Sequence, residues 1–283
     1  MDVKTVGVIG AGTMGNGIAQ IAAESGYNVI MRDIEEAFVE RGMKAISKNL
    51  SRAVDKGKKS ADEAKEIEGR IKGTVNVADL AAADFVIEAA VEKMELKKKI
   101  FSELDGVCRD GVVFASNTSG LSITEMASVT KRSANFIGMH FFNPVPVMKL
   151  VEVIKGNDTS EDTFNVTMEL TKKLGKEPIA INEAPLFAVN RILCPMINEA
   201  AFTLMEGVAS AEDIDKGMML GANHPIGPLA LADLVGLDTL LLVMDTLYNE
   251  TADSKYRPCP LLRKLVRAGH FGRKTGRGFY SYT

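Results

Sequence analysis

The amino-terminal part of the chain alternates short apolar runs with stretches of helical period. Thr5–Ile9 is mostly apolar, as is typical of a strand buried on both faces of a parallel sheet. A helical pattern follows through residues 18–22, and residues 28–33 read as a second strand. This alternation predicts an α/β domain with a Rossmann-type, doubly wound sheet.

Residues 35–72 depart from the alternation. Apolar residues recur at helical spacing over residues 35–56, and a second helix is predicted over residues 60–71, where Ser60 and Glu63 match a capping box. The pattern predicts a helical hairpin inserted at about residues 36–72. Its basic side chains include Lys48, Arg52, Lys56, Lys58 and Lys59. Such charges form either a solvated face or a contact to a phosphate-bearing substrate.

The strand pattern then resumes and later stops. Further strands are predicted over residues 84–90, 112–115, 136–142, 150–154 and 178–181. Proline after residues 182–184 marks a boundary, so we expect one domain over 1–184 and another over 185–283. The second should be all-helical, with a long apolar helix over 187–205 interrupted at Pro195 and another over 231–248. A domain this apolar predicts a homodimer or a higher homo-oligomer.

Composition narrows the class of protein. The net charge of −3 gives no electrostatic reason to expect nucleic acid or an anionic membrane as a partner. The most apolar region, residues 229–244, contains Asp233 and Asp238, which argues against a transmembrane span. Three cysteines without metal-ligand spacing predict no metal site and fit a reducing cytoplasm.

A glycine-rich turn joins the first strand to the first helix. Gly10 suits the tight turn, Gly12 allows the backbone to approach a pyrophosphate, and Gly15 allows close packing of helix on strand. Asp33 ends the second strand about 20 residues onward, where a carboxylate accepts hydrogen bonds from ribose hydroxyls and repels a 2′-phosphate. This arrangement predicts a dinucleotide site that prefers NAD(H) to NADP(H), the alternative being a glycine turn without a ligand.

Polar residues follow the predicted ends of two later strands. Glu92 follows one strand, and Asn117 and Ser119 follow the next. Ligands of doubly wound folds gather at the carboxyl ends of the strands, so these residues should share a rim with the glycine turn. The alternative role is an ordinary helix N-cap, although Ser122 or Thr124 could serve there instead.

A turn with two prolines separates the runs 136–142 and 150–154. If the chain folds back about Pro146, His140 and Glu152 lie side by side. An imidazole oriented by a carboxylate is the arrangement of a general acid/base. The alternative is a structural histidine in a strand.

Five motifs, in order along the chain, resemble the L-3-hydroxyacyl-CoA dehydrogenase family. They are residues 10–15 (Gly-Ala-Gly-Thr-Met-Gly), 117–119 (Asn-Thr-Ser), 139–144 (Met-His-Phe-Phe-Asn-Pro), 190–191 (Asn-Arg) and 276–280 (Gly-Arg-Gly-Phe-Tyr). The resemblance covers essentially the whole chain and is strongest to the short-chain bacterial members. It implies reversible NAD-dependent oxidation of a short-chain (S)-3-hydroxyacyl-CoA, such as (S)-3-hydroxybutyryl-CoA, to the 3-ketoacyl-CoA in fatty acid or butyrate metabolism.

The resemblance also implies residue roles. His140 would be the acid/base, Glu152 its orienting group, and Ser119 and Asn190 the donors to the substrate oxygen. Contacts to the cofactor would come from Gly10, Gly12, Thr13, Met14, Gly15, Asp33, Glu92, Lys97, Asn117 and Lys274. Arg52 and Lys56 of the hairpin would hold the CoA phosphates.

Three positions depart from the family pattern. Leu186 stands where family members usually carry glycine, Gly120 where they carry a second serine, and His270 where an aromatic residue is expected. If position 186 needs a positive φ, leucine would shift Asn190 or narrow the acyl pocket. Two alternatives stay open: a related dehydrogenase of a free 3-hydroxy acid, and a non-catalytic NAD(H)-binding protein.

Overall fold

The apolar runs of the first half form one eight-stranded sheet in the computed structural model, which describes residues 2–282. The strands are β1 Thr5–Ile9, β2 Asn28–Arg32, β3 Ile71–Thr74, β4 Phe85–Glu88, β5 Val113–Ser116, β6 Phe136–Phe141, β7 Leu150–Lys155 and β8 Glu177–Asn182. Their order is β3-β2-β1-β4-β5-β6-β7-β8, and every neighbouring pair is parallel except β6 with β7. The predicted fold class is confirmed.

Six helices accompany the sheet within the described residues of this first unit. They are α1 Thr13–Glu24, α2 Glu36–Asp55, α3 Ala61–Gly69, α4 Met94–Val107, α5 Ile123–Ala127 and α6 Glu161–Lys173. Helices α2 and α3 form the predicted hairpin, and both hydrogen bonds of the Ser60–Glu63 capping box are present. The apolar faces of the helices and strands share one core, which includes Ile18 of α1, Ile46 of α2 and Ile87 of β4.

Strand β3 corrects the predicted hairpin, whose second helix was expected to continue to residue 71. Ile71 is instead buried and pairs with Val29 of β2, while Lys72 and Gly73 are exposed. Four residues at the edge of the sheet, one of them glycine, carry too little alternation to be recognised as a strand.

The second unit is helical. The chain divides into Met1–Glu183 and Ala184–Thr283, and the helices of the second unit are α7 Val189–Met205, α8 Ala211–Gly221, α9 Pro228–Val235, α10 Leu237–Thr251 and α11 Pro260–Arg267. They pack around a core of their own that includes Ile197, Leu229 and Met244. No helix within residues 2–282 is long and apolar enough to cross a bilayer.

Two predictions about this unit were wrong. Helix α7 runs through Pro195 without interruption, because burial of the neighbouring Cys194 and Ile197 offsets the roughly 3 kcal/mol that an interior proline costs. The apolar stretch expected as one helix is instead α9 followed by α10, since Gly236 between them has a φ of +106°. A residue in that region of φ ends a right-handed helix.

Candidate active site

His140 and Glu152 lie opposite each other on the antiparallel strands β6 and β7. Their side chains meet, with Nδ1 of His140 at 2.7 Å from Oε2 of Glu152. Both residues are buried, at 5% and 0% exposure. This is the side-by-side placement expected from folding back about the prolines.

The turn between β6 and β7 is held from below by Lys176. Its ammonium donates to the carbonyls of Val145 and Met148, at 2.5 and 2.8 Å. Burial lowers the pKa of Lys176, so the two carbonyls stabilise a charge that the interior disfavours. The contact stabilises the turn that joins the two strands.

The pairing defines the chemistry available at the imidazole. When Nδ1–H donates to a carboxylate, the basic lone pair of a neutral imidazole lies on Nε2. The carboxylate also stabilises the imidazolium that forms when Nε2 takes up a proton. This arrangement suits an acid/base that accepts and returns one proton.

Asn117 connects the end of β5 with the end of β6. Strand pairing stops at Ser116 opposite Gly138, and the Asn117 side-chain carbonyl then accepts from the Phe141 backbone N–H at 2.9 Å. This amide therefore fixes the residue next to His140. It places the start of the Asn-Thr-Ser motif close to His140, at the ends of neighbouring strands.

Glu92 holds the loop that carries Ser119. Its Oε1 accepts from the Thr118 hydroxyl at 2.6 Å and from the Ser119 backbone N–H at 2.7 Å. The N-cap of α5 is Ser122, which accepts from the Glu125 N–H. Ser122 therefore fills the capping role that was the alternative for the Asn-Thr-Ser motif.

Lys97 is completely buried beneath this loop, where its ammonium contacts Glu88 and Glu92. Sequence reasoning did not select Glu88, which is also fully buried. The available signal was a carboxylate inside the apolar run over residues 84–90. A buried charge is retained only with partners, and the Glu88 carboxylate finds them at Lys97 of α4 and Ser116 of β5.

The glycine turn meets the steric requirements of a nucleotide site. Gly10 has a φ of +97°, a Cβ on Gly15 would lie 1.8 Å from the Gly10 carbonyl oxygen, and a Cβ on Gly12 would face open space. Asp33 accepts from the Ala11 N–H at 2.7 Å, which fixes its carboxylate against the turn.

A cavity of about 820 Å³ opens beside this turn, lined by Gly10, Gly12, Asp33 and residues of α4. Its size is within the range of cofactor sites. Thr13 and Met14 form the first turn of α1, where free backbone N–H groups and the positive end of the helix dipole favour phosphate. These residues fit a dinucleotide. Within residues 2–282 no group of three His, Cys, Asp or Glu side chains could hold a metal ion.

The other predicted residues lie elsewhere in the two units. Arg52 and Lys56 are exposed, at the last turn and C-cap of α2. Asn190 is in the first turn of α7, and Lys274 Nζ lies 2.7 Å from an Asp238 carboxylate oxygen. Leu186 has a φ of +62°, so the condition under which leucine was expected to be unfavourable is met.

The carboxyl-terminal Gly-Arg-Gly-Phe-Tyr motif packs against α9. Asp233 accepts from the backbone N–H groups of Phe279 and Tyr280, each at 2.9 Å. A Cβ on Gly278 would lie 1.9 Å from an Asp233 oxygen, which explains the glycine. Burial and the hydrogen bond to Asp215 raise the pKa of Tyr280. The Gly-Arg-Gly-Phe-Tyr motif therefore stabilises the packing within the second unit.

Comparison with known proteins identifies the family. The profile for the 3-hydroxyacyl-CoA dehydrogenase NAD binding domain matches residues 5–184, and the profile for the C-terminal domain of the same family matches residues 187–282. The chain belongs to the 3-hydroxyacyl-CoA dehydrogenase family. It is accordingly an NAD-dependent oxidoreductase, and NAD is its cofactor.

Individual members of the 3-hydroxyacyl-CoA dehydrogenase family are similar to this chain over nearly its whole length. A 3-hydroxybutyryl-CoA dehydrogenase of Bradyrhizobium diazoefficiens is 53% identical, with 99% of this chain and 96% of the relative covered. One from Clostridioides difficile is 51% identical, covering 97% and 98%. The crystal structure of (S)-3-hydroxybutyryl-CoA dehydrogenase from Ralstonia eutropha superposes with a TM-score of 0.98 at 55% identity, over 100% of both chains.

Proposed function

We propose that the chain catalyses the reversible NAD-dependent oxidation of (S)-3-hydroxybutyryl-CoA to acetoacetyl-CoA. The observation that supports this most is the buried His140–Glu152 pair, 2.7 Å apart, on the sheet whose glycine turn fits a dinucleotide. The names of the relatives supply the substrate class. A role in fatty acid or butyrate metabolism and a cytoplasmic location belong to the same proposal.

His140 acts as the acid/base. The glycine turn and Asp33 would hold NAD, whose nicotinamide would supply the acceptor or donor of the hydride at C3 of the substrate. In the oxidative direction Nε2 of His140 accepts the hydroxyl proton, while Glu152 holds Nδ1–H and stabilises the imidazolium. In reverse, the imidazolium donates the proton to the developing alkoxide.

The remaining residues bind and orient. Ser119 and Asn190 donate to the C3 oxygen and share its developing charge. Glu92, Asn117 and Lys274 contribute to the nicotinamide and ribose side of the cofactor site, and Asp33 accepts from the adenosine ribose.

Arg52 and Lys56 bind the CoA phosphates. They are one helical turn apart near the end of α2 and therefore on one face, as i and i+4 positions are. Two exposed cations on one face suit a ligand with several phosphate groups. The apolar second unit supports a homodimer or a higher homo-oligomer.

The test is the fall in NADH absorbance when purified protein is mixed with acetoacetyl-CoA. We expect saturable oxidation of NADH, much slower oxidation of NADPH, and little turnover of free acetoacetate. A series of straight-chain 3-ketoacyl-CoA esters gives the preferred acyl length. Equal turnover of acetoacetate and its CoA ester would favour a dehydrogenase of free 3-hydroxy acids, and no turnover of any substrate would favour a binding protein.

A further inference from the structure

A row of three charged side chains, the buried Glu88 and Lys97 and the partly exposed Glu92, leads to the loop that carries Ser119. We propose that Glu88 is a positioning residue, which acts through Lys97 and Glu92 to keep this loop in the geometry needed for turnover. The inference rests on the proposed role of Ser119 as a donor to the substrate oxygen. It gives a function to a carboxylate that touches neither substrate nor cofactor.

Both carboxylate oxygens of Glu88 accept hydrogen bonds from the protein. It is the last residue of β4 and 0% exposed. One oxygen accepts from the Ala90 backbone N–H at 2.6 Å, the other from the Ser116 hydroxyl at 2.6 Å, and both contact the Lys97 ammonium, at 2.7 and 2.9 Å. The segment after β4, strand β5 and helix α4 therefore each contribute a donor to this carboxylate.

Lys97, held by Glu88, fixes the carboxylate of Glu92. Its side chain is 0% exposed, so the ammonium takes its orientation from the protein rather than from water. While Glu88 holds it by both oxygens, the same ammonium lies 3.3 Å from Oε2 of Glu92. Glu92 is 40% exposed at its side chain and would otherwise sample several rotamers, as solvated carboxylates do.

Glu92 in turn holds the loop that carries Ser119. Its other oxygen, Oε1, receives the Thr118 hydroxyl and the Ser119 N–H. Each oxygen of Glu92 thus has a separate task, one facing Lys97 and the other facing the loop. The Ser119 backbone is in this way tied to the buried end of β4.

Stability alone gives a poor account of this row. Burial of an ion pair costs desolvation that its attraction only partly offsets, so a buried pair is weak evidence for stability. The contacts from Glu88 end instead at a loop proposed to bind substrate, where small displacements reduce the rate strongly. A second ion pair of α4 joins Asp105 to Arg132 and is nearly as buried. Arg132 also donates to the backbone carbonyls of Cys108 and Arg109, which are remote from Ser119. This second ion pair provides the matched control.

The test is a double-mutant cycle of Glu88→Gln with Ser119→Ala, in which kcat and KM for acetoacetyl-CoA are measured for all four proteins. Glutamine keeps the shape of Glu88 but removes the charge that holds Lys97. We expect Glu88→Gln to lower kcat about tenfold with an intact Ser119, and by less than about twofold when Ser119 is already alanine, because coupled residues are non-additive.

Two further variants keep the test decisive. Asp105→Asn should lower the melting temperature while kcat stays unchanged. Ser116→Ala removes a single hydrogen bond to Glu88 and serves if Glu88→Gln does not fold; its loss of kcat should likewise vanish in the Ser119→Ala background. Equal effects in both backgrounds, or an unchanged kcat for Ser116→Ala and Glu88→Gln, would overturn the inference while the proposed function stands. A wild-type protein that does not turn over acetoacetyl-CoA would instead overturn the proposed function.

Discussion

Leu186 and Phe187 are consecutive residues in the left-handed region, with φ of +62° and +59°. Each costs roughly 1–2 kcal/mol relative to a right-handed conformation. Both side chains are buried, at 3% and 2% exposure, and Leu186 is part of the core of the second unit. Burial of a leucine contributes more than the backbone costs, which explains why a residue other than glycine is tolerated ahead of α7.

Replacement of Leu186 by glycine separates these two effects. Glycine relieves about 1–2 kcal/mol of backbone strain but gives up about 2–5 kcal/mol of buried leucine packing. We therefore expect Leu186→Gly to be less stable than wild type in chemical denaturation. Leu186→Ala loses the packing and keeps the backbone strain. It should therefore be less stable than Leu186→Gly, by about 1 kcal/mol. A glycine variant more stable than wild type would contradict the account.

At the scale of elements, Asp84 ties the start of β1 to β4. Its carboxylate accepts from the backbone N–H groups of Lys4 and Thr5, at 2.7 and 2.8 Å, and pairs with Arg109 after α4. Burial raises the pKa of Asp84, but these donors outweigh it and the pKa is lowered overall. The stabilisation is therefore present above the unfolded value, near pH 3.9, and is lost as the pH falls through the folded value.

This predicts how Asp84→Asn depends on pH. At neutral pH the variant should unfold more easily, by about 1–3 kcal/mol, because the Lys4 and Thr5 N–H groups lose a charged acceptor. The difference from wild type should shrink as the pH is lowered below about 4. Asp110→Asn, an exposed change with the same loss of charge, is the control. A stability difference that is constant from acid to neutral pH would contradict the assignment.

Helix α2 carries the proposed contact to CoA, and Lys56→Glu tests it. Reversal of this charge should raise the Michaelis constant for acetoacetyl-CoA by about tenfold, since one charge-assisted phosphate contact is worth roughly 1.5–3 kcal/mol at most. Turnover at saturation should change little. Lys216→Glu makes the same change of net charge on an exposed position of α8 and should leave the constant unaltered. An unchanged constant for Lys56→Glu would favour a substrate without CoA.

At the scale of the whole molecule, the second unit exposes a large apolar surface. Ile192, Val208, Leu220 and Leu242 are each at least 65% exposed. Such surface is usually covered by a partner, so light scattering should give a mass of at least two chains of 30.5 kDa. Ile192→Asp combined with Leu220→Asp should lower the mass toward one chain. Val147→Asp, at a residue of the first unit that is 71% exposed, should not. A wild-type monomer would contradict the expectation.

Much of the fold could be predicted from the sequence because the patterns that indicate it involve residues close together in the chain. The strands β1 and β2, the glycine turn and the Ser60 capping box depend on neighbouring residues, and the pairing of His140 with Glu152 needs only one reversal of the chain. The position of β3, the break at Gly236 and the hydrogen bond of Ser116 to Glu88 depend on residues distant in sequence. The burial that allows Leu186 its left-handed conformation likewise depends on helices that follow later.

The central claim is that His140, oriented by Glu152, moves the proton in hydride transfer. The most direct measurement is steady-state turnover of acetoacetyl-CoA by His140→Ala, together with NADH binding and thermal unfolding of the same protein. We expect wild-type NADH affinity and a folded protein whose kcat is lower by at least about 10²-fold, with Glu152→Gln also losing most of its turnover. A purified His140→Ala protein with near-normal turnover would contradict it.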